Sequence, residues 1–246
     1  METVISTNKL TKKYGDFIAA NELTFDVYKG EIFGFLGANG AGKTTAMRML
    51  CGLAKPSAGE AIICGYDIYK NTELIKQNIG YMSQRFSLYD NLTVRENIRF
   101  YAGIYGMKNK EIAIKTDELL GELELQNEKN TLVSALPLGW KQKLAFSVAM
   151  VHNPKVVFLD EPTGGVDPVT RRQFWDLIYH AADNGITIFV TTHYMDEAEY
   201  CNRVSIMVDG VIAALGTPAE LKNKNNAPTM QDVFYQIARN AKRSNG

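Results

Sequence analysis

Gly37-Ala38-Asn39-Gly40-Ala41-Gly42-Lys43-Thr44-Thr45 decides how the rest of this chain is read. It follows an apolar run, Ile32-Phe33-Gly34-Phe35-Leu36, and precedes a helix-like run, Thr45-Ala46-Met47-Arg48-Met49-Leu50. Strand, glycine-rich loop and helix, spaced as G-x-x-x-x-G-K-[ST], make a phosphate-binding loop. Polyphosphate needs many donors close together, and backbone N–H groups supply them where no Cβ intrudes, hence Gly37, Gly40 and Gly42. The loop feeds a helix N-terminus, whose free N–H groups and partial positive charge favour anions. Lys43 is expected at the β- and γ-phosphates, and the Thr44 hydroxyl on Mg²⁺.

Composition limits the alternatives. The chain has 246 residues, room for one large domain or two small ones with a substantial core. Its 27 basic residues balance 27 acidic ones, so no overall field points to nucleic acid. The apolar fraction of 46% is that of an ordinary globular protein. Cys51, Cys64 and Cys201 are odd in number and far apart, forming neither a metal pattern nor a disulfide framework; they suit a reducing compartment. Met1-Glu2-Thr3-Val4-Ile5 does not read as a signal peptide. No apolar run approaches the roughly 20 residues of a spanning helix, so the chain is not expected to cross a membrane by itself.

Outward from the loop, Thr3 to Leu10 reads as a strand, and Glu22 to Tyr28 alternates Leu23, Phe25 and Val27 with polar neighbours. Glu60 to Cys64 and Ile79 to Gln84 are further short β-runs. The middle is helical: Val94 to Met107, Lys110 to Leu125 and Trp140 to Val151. Thr93 with Glu96 three residues later is a capping box. β-character returns at Val156 to Asp160 and Ile186 to Thr191, separated by a helix from Pro168 to Ala182 with Asp167 as its N-cap. Asp209-Gly210 between Arg203 to Asp209 and Val211 to Ala214 is a hairpin signal. Two helices, near Thr217 to Lys222 and Thr229 to Lys242, finish the chain before a polar tail.

Three further groups bear chemistry. Val156-Val157-Phe158-Leu159 runs into Asp160-Glu161, which places two carboxylates at the carboxyl edge of a buried strand, where open α/β sheets bind ligands. Asp160 is expected to hold Mg²⁺, directly or through water, and Glu161 to orient and polarise the attacking water. Thr191-Thr192-His193 ends another apolar strand, so His193 is placed to sense the γ-phosphate. Gln84 offers a neutral amide to Mg²⁺ or to that water.

Together these residues resemble the ATP-binding subunit of an ABC transporter along the whole chain. The matching pieces are Tyr14, Gly37 to Thr44, Gln84, Leu159-Asp160-Glu161-Pro162-Thr163, Gly165-Val166-Asp167-Pro168, Thr191-Thr192-His193 and Asp196-Glu197-Ala198-Glu199. Phe86-Ser87-Leu88-Tyr89-Asp90-Asn91-Leu92-Thr93-Val94 and Leu136-Pro137-Leu138-Gly139-Trp140-Lys141-Gln142 are similar to bacterial ABC-2 type exporters, often linked to drug export. The resemblance implies an α/β P-loop NTPase: a mixed RecA-like core, an antiparallel β-subdomain and an inserted α-helical subdomain. It implies one ABC ATPase domain over 1–246, with core and β-subdomain at about 1–86 and 154–224, helical subdomain at about 87–153 and C-terminal helices at about 217–242. Tyr14 is expected to stack on the adenine of ATP, and Gly37, Ala38, Asn39, Gly40, Ala41, Gly42, Lys43, Thr44 and Thr45 to hold its phosphates. Thr44, Gln84 and Asp160 are expected around Mg²⁺. Two such domains, identical or different, are expected to close head to tail over two ATP. Each ATP would touch one chain's phosphate loop and the other's signature, here Pro137, Leu138 and Gly139; Asp167 belongs to the loop linking the two sites. The helical insert and the loop after Gln84 are expected to grip ABC-2 type transmembrane permease subunits at the cytoplasmic face of the cell membrane. No nucleic-acid partner is expected.

One segment departs from the family. The usual signature is Leu-Ser-Gly-Gly-Gln; this chain has Leu136-Pro137-Leu138-Gly139-Trp140. Pro137 offers neither hydroxyl nor N–H, and Leu138 adds a side chain where glycine admits phosphate. A hydrogen bond to a charged group is worth roughly 1.5–3 kcal/mol, about ten- to a hundredfold in affinity. The chain's own ATP-holding set is complete, while what it offers a partner's ATP is weakened. A soluble ABC ATPase of translation or DNA repair, or a nucleotide-binding module that does not hydrolyse, are the competing functions. The first usually carries paired domains or a coiled-coil insert, and the second sits poorly with Glu161 and His193.

Overall fold

The computed structural model describes residues 2–84 and 87–244. Met1, Asn245 and Gly246 lie outside them, as do Arg85 and Phe86, which open the loop expected to grip a membrane subunit.

Two sheets and a helical block build the chain. The N-terminal strands β1 (Thr3–Tyr14) and β2 (Phe17–Tyr28) form an antiparallel pair, extended by β4 (Ala58–Ile63) and the short β5 (Tyr66–Asp67) in the order β2-β1-β4-β5. The second sheet contains β3 (Ile32–Gly37), β6 (Ile79–Met82), β7 (Val156–Asp160), β8 (Thr187–Thr192), β9 (Arg203–Val208) and β10 (Val211–Gly216). Its order is β10-β9-β3-β8-β7-β6; all neighbours run parallel except the β9–β10 hairpin at one edge.

Burial explains the sequence patterns. Every residue of β3, β7 and β8 is buried, as expected of parallel strands covered on both faces, which read as continuous apolar runs. In β2, Leu23, Phe25 and Val27 point into the core while their neighbours do not. Phe25 joins the two sheets, its ring stacked on Phe33 at 5.6 Å between centroids and within 6.2 Å of Phe35 and Phe189. The opposite face of the parallel sheet packs Leu36, Val157, Leu159, Ile188 and Val190 against α6 (Pro168–Asp183), through Phe174, Trp175 and Ile178.

The helical block comprises α3 (Val94–Ile104), α4 (Asn109–Glu122) and α5 (Leu138–Met150), with its own core of Val94, Ile98, Ala102, Ile112, Leu119, Leu120, Leu144 and Val148. The capping box at α3 is present: Glu96 N donates to Thr93 Oγ1 at 3.2 Å, and Thr93 N to Glu96 Oε2 at 2.8 Å. The helix α1 (Lys43–Leu50) follows the phosphate loop directly, and α7 (Pro218–Lys224) and α8 (Met230–Ser244) end the described chain.

Several boundaries differ from the sequence pattern. The first strand continues past Leu10 to Tyr14 although Lys9, Lys12 and Lys13 make that stretch look like a loop. It is held from both sides, and register shifts near Thr7, Leu10 and Lys12 absorb its irregular polarity. A helix α2 (Thr72–Asn78) has only Ile75 buried, too little apolar repeat to be seen in advance. The third helix of the block starts at Leu138 rather than Trp140, because Pro137 already serves as its N-cap. Finally, β6 ends at Met82, so Gln84 stands beyond the strand.

Candidate nucleotide site

The parallel sheet brings its strand ends to one edge, and the phosphate loop lies there between β3 and α1. A cleft of about 400 Å³ opens beside it, lined by Phe17, Ala19, Asn39, Gly40, Gly42, Lys43, Thr44, Thr45, Gln84 and Glu161. Strand order does the assembling. Because β8 and β7 follow β3, Thr191, Asp160 and Glu161 arrive beside Lys43 and Thr44 from far along the chain.

Glu161 is the centre of the cluster. Its carboxylate sits 3.2 Å from Lys43 Nζ, accepts from Gln84 Nε2 at 3.0 Å, and lies 3.0 Å from His193 Nδ1. The His193 contact is close but not aligned as a hydrogen bond. Lys43 and Glu161 are both buried. Lys43 Nζ also donates to Gly37 O at 2.9 Å and Ala38 O at 3.1 Å, so the ammonium is curled beneath the loop. The Glu161 backbone is left-handed, with φ of 47°. Such a conformation in a non-glycine residue costs on the order of 1–3 kcal/mol and persists only where surroundings impose it. Here Glu161 N donates to both Thr191 O and Thr191 Oγ1 at 3.1 Å, anchoring the turn to β8.

Asp160, one residue earlier, is buried and accepts at Oδ1 from Thr191 Oγ1 at 2.7 Å and from Thr44 Oγ1 at 3.2 Å. Thr44, Asp160 and Gln84 supply hydroxyl, carboxylate and amide oxygens. Among the described residues no group of three His, Cys, Asp or Glu is arranged to cage a metal. That donor set fits Mg²⁺, which takes one or two protein oxygens and completes its sphere with phosphate and water.

Two glycines of the loop are required by the protein itself. A Cβ on Gly37 would lie 2.5 Å from Met207 O, and one on Gly42 would lie 2.2 Å from Ala19 O, where φ is also +100°. The loop is therefore wedged against β9 and β2, and its shape is fixed from behind.

The other residues singled out in the sequence stand elsewhere. Tyr14 is not in the cleft wall; its exposed ring carries Lys12 Nζ at 4.9 Å from the centroid. Among the described residues the aromatic lining the cleft is Phe17, 66% exposed, just past the Gly15 turn and at the start of β2, five residues ahead of the alternation that marks the strand in the sequence. Pro137, Leu138 and Gly139 start α5 away from the cleft wall, with Leu138 and Trp140 exposed. They adjoin the N-terminus of α6: a Cβ on Gly139 would meet Thr170 Cγ2 at 2.9 Å, and Asp167 accepts from Val169 N and Thr170 N at 2.9 and 3.0 Å. A bond from the Thr170 hydroxyl, with those backbone bonds, lowers the Asp167 carboxyl from its ordinary value. Gln142 of α5 donates from its side chain to Pro162 O, joining that helix to the turn after Glu161.

Comparison with known proteins agrees with the fold. The profile of the ABC transporter family matches residues 20–164. The probable multidrug ABC transporter ATP-binding protein YbhF of Escherichia coli strain K12 is 45% identical over 241 residues. That match covers 96% of this chain and 42% of the relative, so the chain spans under half the length of that relative. The solved structure of an ATP-binding subunit of an ABC transporter superposes with a TM-score of 0.85 at 26% identity, covering 96% of this chain and 99% of the other. The dimeric post-hydrolysis structure of the ATP-binding cassette MJ0796 with ADP and Pi has a TM-score of 0.77 at 26% identity, over 87% and 98% of the two chains.

Proposed function

The chain belongs to the ABC transporter ATP-binding family, and from that premise we propose that it binds ATP in the cleft beside Lys43 and hydrolyses it to power export through separate membrane subunits. The observation that carries the chemistry is the convergence of Lys43, Gln84 and His193 on one carboxylate, Glu161, within 3.2 Å. A bound terminal phosphate competes with Glu161 for the Lys43 ammonium. As Lys43 turns to the β- and γ-phosphates, the Glu161 carboxylate is released to take the proton of the attacking water. Gln84 bonds that carboxylate and His193 lies against it, so the two flank the water and the γ-phosphate. Thr44 and Asp160 would hold Mg²⁺, which neutralises charge on the phosphates when bound. Purified chain given Mg²⁺-ATP should release phosphate, and binding without any release would contradict this reading.

Phe17 is the aromatic best placed for the adenine. Base stacking on an aromatic is worth about 1–3 kcal/mol by alanine substitution. Phe17→Ala should therefore weaken ATP affinity by at least about fivefold, and Tyr14→Ala by less than about twofold, in a nucleotide titration. The opposite order would return the adenine to Tyr14.

Head-to-tail pairing with a second ATPase domain is supported by the neighbouring dimeric cassette and by the clustering of Pro137, Leu138 and Gly139 with Asp167 on one surface. With Pro137 in place of serine, the ATP held by a partner loses a donor. Pro137→Ser should raise turnover of the assembled transporter by about ten- to a hundredfold if that position binds the partner's γ-phosphate. An unchanged rate, matched by full activity of the isolated homodimer, would overturn the asymmetric pairing.

The membrane subunits are read as ABC-2 type permeases. Tyr89, Phe100 and Ile104 are exposed near the loop after Gln84, with Tyr89 and Phe100 rings 4.7 Å apart, an apolar face suited to a cytoplasmic helix. Among the described residues no helix is long and apolar enough to cross a membrane. The proposed place is the cytoplasmic face of the membrane, with cargo chosen by the permease. The relative's printed name makes drug-like export the first substrate class to assay.

A further inference from the structure

A second set of charged groups lies behind the cluster just described, and the chemistry of hydrolysis does not use it. Glu197 is fully buried in the short 3₁₀ turn Met195–Tyr200 that follows His193. Its Oε1 accepts from Thr163 Oγ1 at 2.5 Å and from Trp175 Nε1 at 3.4 Å, while Oε2 has no partner among the described residues. Arg171 Nε of α6 is 3.8 Å from Glu197 Oε1, too long for a hydrogen bond and likewise without a partner. The guanidinium also lies 3.7 Å from Asp196 Oδ2. Its carbon sits 4.2 Å from the centroid of the Tyr194 ring, and that ring is 4.2 Å from the ring of His193. A buried carboxylate with an idle oxygen, facing a guanidinium with an idle donor, is costly unless the two act on each other.

These contacts close a circuit. From Glu161 the chain turns two residues on to Thr163, which bonds Glu197; Glu197 faces Arg171; Arg171 covers Tyr194; the Tyr194 ring packs at a tilt of 36° against His193; and His193 returns to Glu161 at 3.0 Å. Arg171 is one helical turn beyond Asp167, and Arg171 N donates to Asp167 O at 2.9 Å. A shift of the α6 N-terminus therefore moves the guanidinium that lies over the Tyr194 ring and faces the buried carboxylate.

We infer that Arg171, acting through Tyr194 and Glu197, is a positioning residue that sets the orientation of His193 and ties it to the segment carrying Asp167. Arginine suits the place because its planar fork stacks on an aromatic face while reaching carboxylates on two sides, which a lysine ammonium cannot do at once. The inference rests on the reading that His193 acts at the terminal phosphate, and the two can fail separately.

The test is steady-state ATP hydrolysis by the full chain, run with nucleotide binding and with side-chain nitrogen NMR of His193, whose signals are distinguished from His152 and His180 by substitution. Arg171→Ala should lower kcat by about tenfold or more with KM changed less than about twofold, and should move the His193 ring resonances. Arg171→Lys should recover part of kcat, because a cation over Tyr194 remains. Arg172→Ala is the control, since Arg172 is exposed and, among the described carboxylates, pairs only with Asp176 at 3.5 Å; it should leave kcat unchanged. Tyr194→Leu should mimic Arg171→Ala while leaving the Arg171–Glu197 pair in place. If Arg171→Ala leaves kcat or the His193 resonances as they were, or lowers kcat only in step with the fraction folded, the inference is wrong. If His193→Ala itself hydrolyses normally, the underlying reading of His193 has failed instead.

Discussion

Glu161→Gln should keep ATP binding while phosphate release falls by about 10²- to 10⁴-fold, the usual contribution of a positioned general base. The substitution conserves shape, and the new amide oxygen can still accept from Gln84 Nε2, which now bonds the carboxylate at 3.0 Å. What disappears is the basic oxygen and the negative charge 3.2 Å from Lys43. Lys43 keeps its bonds to Gly37 O and Ala38 O, so the loop does not lose its anchor. With its anionic competitor gone, the ammonium favours phosphate more strongly, and nucleotide should bind at least as tightly as before. Bound but uncut ATP should then hold two domains together, so a dimer should elute from size exclusion only with Mg²⁺-ATP. Hydrolysis at the original rate would remove Glu161 from the role of base.

Lys43→Met should have the other large effect, on binding. The ammonium is buried and is expected to contact two phosphates. Each charge-assisted hydrogen bond is worth roughly 1.5–3 kcal/mol, so ATP affinity should drop by at least about a hundredfold. Calorimetric titration measures it; a loss below about threefold would separate Lys43 from the phosphates. The same change strands Glu161 in a buried position. Breaking a buried ion pair from one side costs about 3–5 kcal/mol, whereas removing both partners costs much less. The pair of substitutions Lys43→Met with Glu161→Gln should therefore recover most of the thermal stability that Lys43→Met loses, without recovering ATP affinity.

What the sequence revealed and what it hid follow from distance along the chain. The phosphate loop was legible because its strand, glycines, lysine and helix are contiguous. Asp160 and Glu161 were legible because a four-residue apolar run ends on them. The meeting of Gln84 with Glu161, 77 residues apart, was not, because it depends on the strand order β3-β8-β7-β6. Thr191 was likewise missed as the residue that anchors both carboxylates, since a threonine ending a strand carries no local sign of its partner. The glycines were read only for the face toward phosphate, and the close approach of β9 and β2 behind Gly37 and Gly42 had no sign in the local sequence. Tyr14 was singled out by the family resemblance, while Phe17, ahead of the Glu22 to Tyr28 alternation, carried no local sign that it lines the cleft. Glu197 was noted only as part of the family-like run Asp196-Glu197-Ala198-Glu199 and Arg171 carried no local signal, so only tertiary packing shows that Glu197 is buried beside it.

The central claim is that a triphosphate tail lies in the loop from Gly37 to Thr45 with its terminal phosphorus facing Glu161. The most direct measurement is a crystal structure of Glu161→Gln grown with magnesium and ATP. The account predicts phosphate oxygens on the backbone N–H groups of that loop, Lys43 turned onto them, and residue 161 no farther than one bridging water from the γ-phosphate. ATP bound at any other place, or residue 161 turned away from the terminal phosphate, would contradict it.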